Sequence, residues 1–360
     1  MMDLKLGTID WNVTANDRGL SQALLYLSAY SDWLSLALRI YFILHIIQAG
    51  YYPSLAIVGV PVNLVTIVIL FRRKCGLSKC VTCYLVAMSL ADLLVIILDL
   101  ILRHIPIVFE EHFLFLWVIR VCNIHAVLLY AATDCSVWFT VTFTFDRFVA
   151  ICCQKLKSKY CSEKTASVIL GTVTVLSCLK NIFWYFMLLG GYVLLNDPWF
   201  CEVTGSVLLS PVWATLEFVH NIITPCIPFF LILLLNVLTV RHILVSSRAR
   251  KRFQAHSDGE SPKDPEMESR RRSIILLFVI SANFILLWSV LMFYSIWKRM
   301  FNLGYKSVFL DGFVMELAFM LQLLSCCTNT GIYAVTQTKF RQQFKNMLKF
   351  PFTPILQFIK

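Results

Sequence analysis

Long apolar runs separated by short polar joints dominate this chain. Seven stand out, at residues 49–71, 80–105, 117–152, 165–191, 211–245, 272–298 and 308–336. Each exceeds the roughly 20 residues a helix needs to cross a bilayer. In hydrocarbon every backbone group needs an internal partner, and isolated strand signals are few, so the runs predict helices rather than a barrel. A further apolar stretch, 33–47, is shorter and carries Arg39. It reads as a helix outside the bilayer or as an extension of the first span, with an eighth span as the remaining option. Residues 192–204 alternate weakly around Asn196, Asp197 and Pro198, which predicts a β-hairpin. Residues 338–349 set Phe340, Phe344, Met347 and Leu348 at helical spacing among Lys and Arg. That pattern predicts an amphipathic helix lying on the membrane, the alternative being a plain soluble tail. The long hydrophilic stretch 246–269 is rich in Pro, Gly and charge and reads as a flexible loop. The organisation is therefore an N-terminal segment (1–48), an all-α membrane domain (49–336) and an amphipathic helix with a short tail (337–360).

Composition agrees. Of 360 residues, 58% are apolar and only 15% charged, against about 45–50% and about 25% in soluble domains. The net charge of +11 is unevenly spread. Arg72, Arg73, Lys74 and Lys79 follow the first run, and Lys155, Lys157, Lys159 and Lys164 follow the third. Arg248, Arg250, Lys251, Arg252 and Arg270 follow the fifth, and Lys339, Arg341, Lys345 and Lys349 follow the seventh. The alternate joints are poorer in basic residues, so the N-terminus is expected outside and the tail in the cytoplasm. The basic charge serves topology and attraction to anionic lipid, not nucleic acid. No charged-then-apolar leader opens the chain, so the first span is expected to act as its own anchor. Asn12 begins an Asn-Val-Thr glycosylation triplet on the expected outer side. Most of the thirteen cysteines fall inside spans, as small buried apolar residues do. Cys122 and Cys201 instead fall at the expected outer face, where oxidation is favoured.

Charged residues inside the spans carry the chemistry. Asp146, Arg147 and Phe148 sit together at the inner end of the third run, where adjacent charges are costly and usually functional. Cys122 lies 25 residues earlier, about 37 Å of helix and enough to cross the membrane. Asn63 falls in the first span, Asp92 in the second and Trp288 in the sixth, and Asn329-Thr330-Gly331-Ile332-Tyr333 falls in the seventh. In order and spacing these positions resemble the rhodopsin-like G-protein-coupled receptors. Phe148 stands where that family usually has Tyr. The resemblance covers roughly residues 49–349. Residues 144–151, 329–335 and 339–341 further resemble the peptide-type orphan receptor branch numbered 139 and 142, whose members respond to tryptophan and phenylalanine and signal mainly through Gq.

The resemblance implies roles. Cys122 and Cys201 would form a disulfide pinning the hairpin to the third helix. Arg147 would pair with Asp146 at rest and enter the G-protein cavity when active, with Tyr333 swinging inward. Trp288 would floor the ligand pocket. Asp92, Ser136, Ser325 and Asn329 would hold an allosteric Na⁺ with oxygen ligands suited to a hard cation. The residues alone also allow a protonated Asp92 bonded to Asn63 and Asn329. Departures bear on this reading. Val290 and Thr330 replace prolines usual in the sixth and seventh helices, removing kink-forming residues. Arg270 stands where some members carry an acid facing Arg147, so a salt-bridge lock there is not expected. Leu129 and Leu323 stand where amine receptors carry their aspartate and opsins their lysine, which disfavours those ligands.

The expected ligand side holds Arg103, His125, Glu217, His220 and Glu316. A zwitterionic amino acid could set its carboxylate on Arg103 and its ammonium on Glu217 or Glu316. The bland alternatives are an Asp99–Arg103 pair within one helix and Glu316 in headgroup water. Asp134 lies thirteen residues before Arg147, roughly 20 Å up the helix. Lys180 reaches comparable depth on the fourth span, so the two could pair. The functional reading is a receptor, not an enzyme, that binds an extracellular small molecule or peptide and activates a heterotrimeric G protein from the plasma membrane. A non-coupling receptor-like scaffold is the alternative. A transporter or channel is less favoured, because repeats and a polar pore lining are missing. The seven histidines form no metal motif, and no Gly-x-Ser-x-Gly elbow appears.

Overall fold

Among the described residues, the computed structural model has seven helices long and apolar enough to cross a membrane. They are α1 (Arg39–Phe71), α2 (Lys79–Val108), α3 (Cys122–Cys152), α4 (Glu163–Met187), α5 (Pro211–Arg248), α6 (Arg271–Lys298) and α7 (Gly312–Thr336). A shorter helix, α8 (Thr338–Lys349), follows. The structure describes residues 36–73, 75–194, 200–205, 210–254, 265–302 and 311–349. Packing divides the chain into residues 1–47 and residues 48–360, and the second unit carries the site residues.

The sequence explains two of the helix starts. Ser78 caps α2 by accepting from the Val81 amide at 3.3 Å, and Ser162 caps α4 by accepting from the Thr165 amide at 3.1 Å. Large apolar side chains lie exposed along the helices, with Ile57 at 73%, Leu286 at 69% and Val168 at 64%. Such a surface suits lipid, where apolar exposure carries no penalty. Inside, Tyr84, Leu85, Phe143, Leu276, Tyr333 and Phe340 pack near the Asp146 end of α3. Trp184, Leu188, Phe200 and Trp213 pack with Cys122 at the opposite end. Between them Ile232 and Phe284 pack with Trp288. Gly59 brings α1 against its neighbours: a Cβ there would stand 2.6 Å from Cys327 Sγ and 2.9 Å from Ile96 Cδ1.

Several boundaries depart from expectation. The third span begins at Cys122 rather than 117, because Leu114–Val118 is a 3-10 turn. The fourth ends at Met187 rather than 191, where the chain enters β1 (Leu188–Tyr192). β1 pairs antiparallel with β2 (Cys201–Val203), setting Leu188 opposite Val203 and Tyr192 opposite Cys201. The hairpin therefore opens before residue 192. Gly190 permits this, since a Cβ there would meet the Arg120 carbonyl oxygen at 3.0 Å. The expected turn at Asn196, Asp197 and Pro198 lies outside the described residues. The expected loop 246–269 is helical through Gln254 and again from Pro265, so its centre alone lies outside the described residues. Asn12 also lies outside them.

Two spans are irregular where they meet the site. α2 is π-helical over Ile96–His104, and α5 is interrupted over Ile222–Cys226, which includes Pro225. π-turns are rare and concentrate at functional sites. α8 buries Phe340, whose ring stacks on Phe344 and meets Tyr333 edge-on at 5.9 Å.

Candidate functional site

Polar side chains enter the helical domain at three levels. At the first, Asp146 and Arg147 are both buried. Arg147 Nε donates to Asp146 Oδ2 at 3.0 Å, and its Nη2 donates to the same oxygen. The remaining Nη1 donates to Ser273 Oγ on α6 at 3.2 Å. A hydroxyl of α6 therefore meets Arg147. The side chain of Arg270 lies outside the described residues.

The second level surrounds Asp92. Ser136 Oγ donates to its Oδ1 at 2.6 Å and Asn329 Nδ2 to its Oδ2 at 2.7 Å. Trp288 Nε1 donates to Ser325 Oγ at 3.1 Å, and that hydroxyl donates to the Gln322 carbonyl at 2.6 Å. Asp92, Ser136, Ser325 and Asn329 line one cavity of about 10 Å³. Asn63 instead donates to the Gly59 and Cys326 carbonyls, each at 3.0 Å. Of the alternative in which Asp92 bonds Asn63 and Asn329, only the Asn329 bond is present, because the Asn63 amide nitrogen is occupied joining α1 to α7.

The third level is a cavity of about 120 Å³ at the hairpin end. Arg103 and Asp99 of α2, Glu217 and His220 of α5 and Lys298 of α6 all reach it, among Tyr130, Trp288, Tyr294 and Phe319. Arg103 Nη1 donates to Asp99 Oδ1 at 3.2 Å, so the within-helix pair forms and faces the cavity as well. The Arg103 guanidinium also lies 5.1 Å from the Phe319 ring centroid and 5.3 Å from that of Phe200.

Two expected ligand residues point elsewhere. His125 shares hydrogen bonds with the Leu98 carbonyl at 2.7 Å and Tyr192 Oη at 3.1 Å, so it braces α3 against α2 and the hairpin. Glu316 accepts from Gln48 Nε2 at 2.7 Å, and it is a protein contact rather than headgroup water that receives this acid. Neither residue lines the cavity. Lys298 was missed. Its signal was present, since Trp288, Leu291, Ser295 and Lys298 recur at helical spacing along one face of α6.

Asp134 sits beside this cavity, between α3, α4 and α5. Lys180 Nζ approaches its Oδ2 at 2.7 Å and donates to Oδ1 at 2.9 Å. Thr224 Oγ1 donates to Oδ1 at 2.6 Å, and Asn181 Nδ2 to Oδ2 at 2.5 Å. Trp184 Nε1 in turn donates to Asn181 Oδ1 at 3.1 Å, and its ring stacks on Tyr130 of the cavity wall. The disulfide Cys122–Cys201 fixes β2 to the start of α3.

These positions fall within a longer likeness. Residues 62–333 match the family model of the 7 transmembrane receptor (rhodopsin family). Melatonin receptor type 1C of Xenopus laevis is 22% identical over 305 residues, covering 84% of this chain and 67% of that protein. Probable G-protein coupled receptor 142 of Mus musculus is 24% identical over 315 residues, covering 84% of this chain and 73% of that protein. With most of its length matched and seven membrane-length helices, the chain belongs to the rhodopsin family of seven-transmembrane receptors, which are signalling proteins and not enzymes.

Proposed function

We propose that this receptor responds to a zwitterionic aromatic ligand, an aromatic amino acid or a peptide end, held in the hairpin-end cavity and read out through a Gq-class protein. The observation that carries the ligand class is the presence of opposite charges in one aromatic-walled cavity, lined by Arg103 of α2 and Glu217 of α5. A ligand carboxylate would share the Arg103 guanidinium with Asp99, since that group offers five N–H donors. A ligand ammonium would take Glu217, and the ring would rest among Tyr130, Phe319 and Trp288. The Gq assignment follows the branch resemblance. The basic joints between spans support a hairpin end facing outward and an Asp146 end facing the cytoplasm.

Applied outside intact cells, tryptophan or phenylalanine is expected to raise G-protein dissociation, with melatonin as a neutral indole comparator. Glu217→Gln keeps the shape and removes the charge, and is expected to weaken the amino-acid response by roughly tenfold or more. A response to melatonin alone, or one indifferent to Glu217→Gln, would remove the zwitterion reading.

We also propose that Asp92 binds Na⁺ with Ser136, Ser325 and Asn329. Its support is the carboxylate, hydroxyl and amide oxygens around one small cavity, a donor set suited to a hard cation. Sodium is then expected to raise the thermal stability of purified receptor above the same concentration of a bulky organic cation, and Asp92→Asn to abolish the difference. Equal stability in both salts for the native chain would count against the ion.

A further inference from the structure

The carboxylate of Asp146 has two oxygens, and Arg147 uses only one. Two Arg147 donors, Nε and Nη2, converge on Oδ2. Oδ1 accepts the Cys80 thiol from the first turn of α2, at 3.3 Å and fully inside the protein. A second thiol, from Cys161 just before α4, donates to the Asp146 backbone carbonyl at 3.6 Å. Burial, and next the Asp146 carboxylate, push the Cys161 thiol up to about 11, so it stays a protonated donor at neutral pH. A continuous line of contacts therefore runs from Cys80 on α2, through Asp146 and Arg147 on α3, to Ser273 on α6.

A buried cysteine ordinarily serves as a small apolar residue. Cys80 differs because its sulfur meets a charged oxygen that has no other use in the pair. We propose that Cys80 and Cys161 are positioning residues of the Asp146–Arg147 gate. The Cys80 thiol orients the carboxylate so that Oδ2 faces Arg147, and Arg147 in turn reaches Ser273. Cys161 holds the same residue by its backbone. Without the Cys80 donor, Oδ1 is left buried and unpaired, which favours rotation of the Asp146 carboxylate and release of Arg147 from α6.

The two roles of a cysteine predict opposite orders of variants. A packing role makes Cys80→Ala mild and Cys80→Ser the worse change, since Ser places a hydroxyl in an apolar slot. A positioning role makes Cys80→Ser close to native and Cys80→Ala the disruptive change. Two readouts are made at matched surface expression. One is ligand-free G-protein dissociation in cells. The other is hydrogen–deuterium exchange of the α6 turn containing Ser273, on purified receptor without G protein. Cys80→Ala is expected to raise ligand-free dissociation about fivefold and to speed exchange at that turn by a similar factor, and Cys80→Ser to restore both. Cys161→Ala and Cys161→Ser are expected to show the same order with smaller size, and they decide the matter if Cys80→Ala does not reach the surface. Alanine and serine variants with equal exchange at the Ser273 turn would overturn the proposal. The inference rests on Arg147 as the residue that meets the G protein. The exchange measurement does not, so silence in the cell assay with the expected exchange order would fault the coupling and leave the thiols in place.

Discussion

Lys180→Met, with Asp134 left in place, is expected to be the most damaging single change in the helical domain. Asp134 keeps only 2% of its side chain exposed and takes donors from two neighbouring helices, α4 and α5. Removing the ammonium leaves a buried carboxylate whose remaining donors, Thr224 and Asn181, are neutral. Breaking a buried ion pair from one side costs about 3–5 kcal/mol. Purified receptor is expected to show a large fall in thermal stability, and cells a loss of surface receptor. Removing both charges as Lys180→Met with Asp134→Leu is expected to be milder than Lys180→Met alone, because no uncompensated charge remains. The order of the two variants is the test. A double variant no more stable than Lys180→Met would mean that the pair does more than neutralise itself, for instance by holding Thr224 where α5 is interrupted.

Cys122→Ser is expected to have the second large effect. The disulfide closes a loop with a sequence separation of 79 residues. For a free chain, closing a loop of that size is worth about 4–5 kcal/mol. Here α3 and α4 remain held in the bilayer without the bond, so the stability loss is expected to be smaller and the local loss larger. β2 would separate from α3, and Tyr192 would leave His125. Phe200, whose ring lies against the Arg103 guanidinium, would move with it. The expected result is a receptor that reaches the surface in reduced amount and no longer answers tryptophan. A Cys122→Ser receptor with native dose response would show that the hairpin takes no part in shaping the cavity.

What the sequence discloses is depth, and what it withholds is direction. The seven spans are legible because hydrocarbon demands long apolar helices with internal hydrogen bonds. Their ends are not, because residues 117–121 and Leu188–Leu189 are as apolar as the spans they adjoin, while their backbones form a turn and a strand. Counting residues placed Asp134 and Lys180 at one level, and they meet. It did not show that Asn181 and Thr224 complete the shell, since neither carries a charge that must be answered. Arg103, Glu217 and His220 reach the cavity, whereas His125 and Glu316 stand at similar depth but face α2 and α1. Helical phase decides this: His125 lies on the face of α3 turned toward α2, and Glu316 on the face of α7 turned toward α1. Lys298 closes the sixth apolar run, where a basic residue marks a run end as readily as a site, although its spacing from Trp288 matches the cavity face.

The most direct test of the account is G-protein dissociation in intact cells, scanned across the Gα classes, for the native chain and for Arg147→Ala at equal surface expression. A signal in the Gq class is expected, rising with tryptophan or phenylalanine and disappearing in Arg147→Ala. Silence in every class despite good surface expression, or a signal that survives Arg147→Ala unchanged, would contradict it.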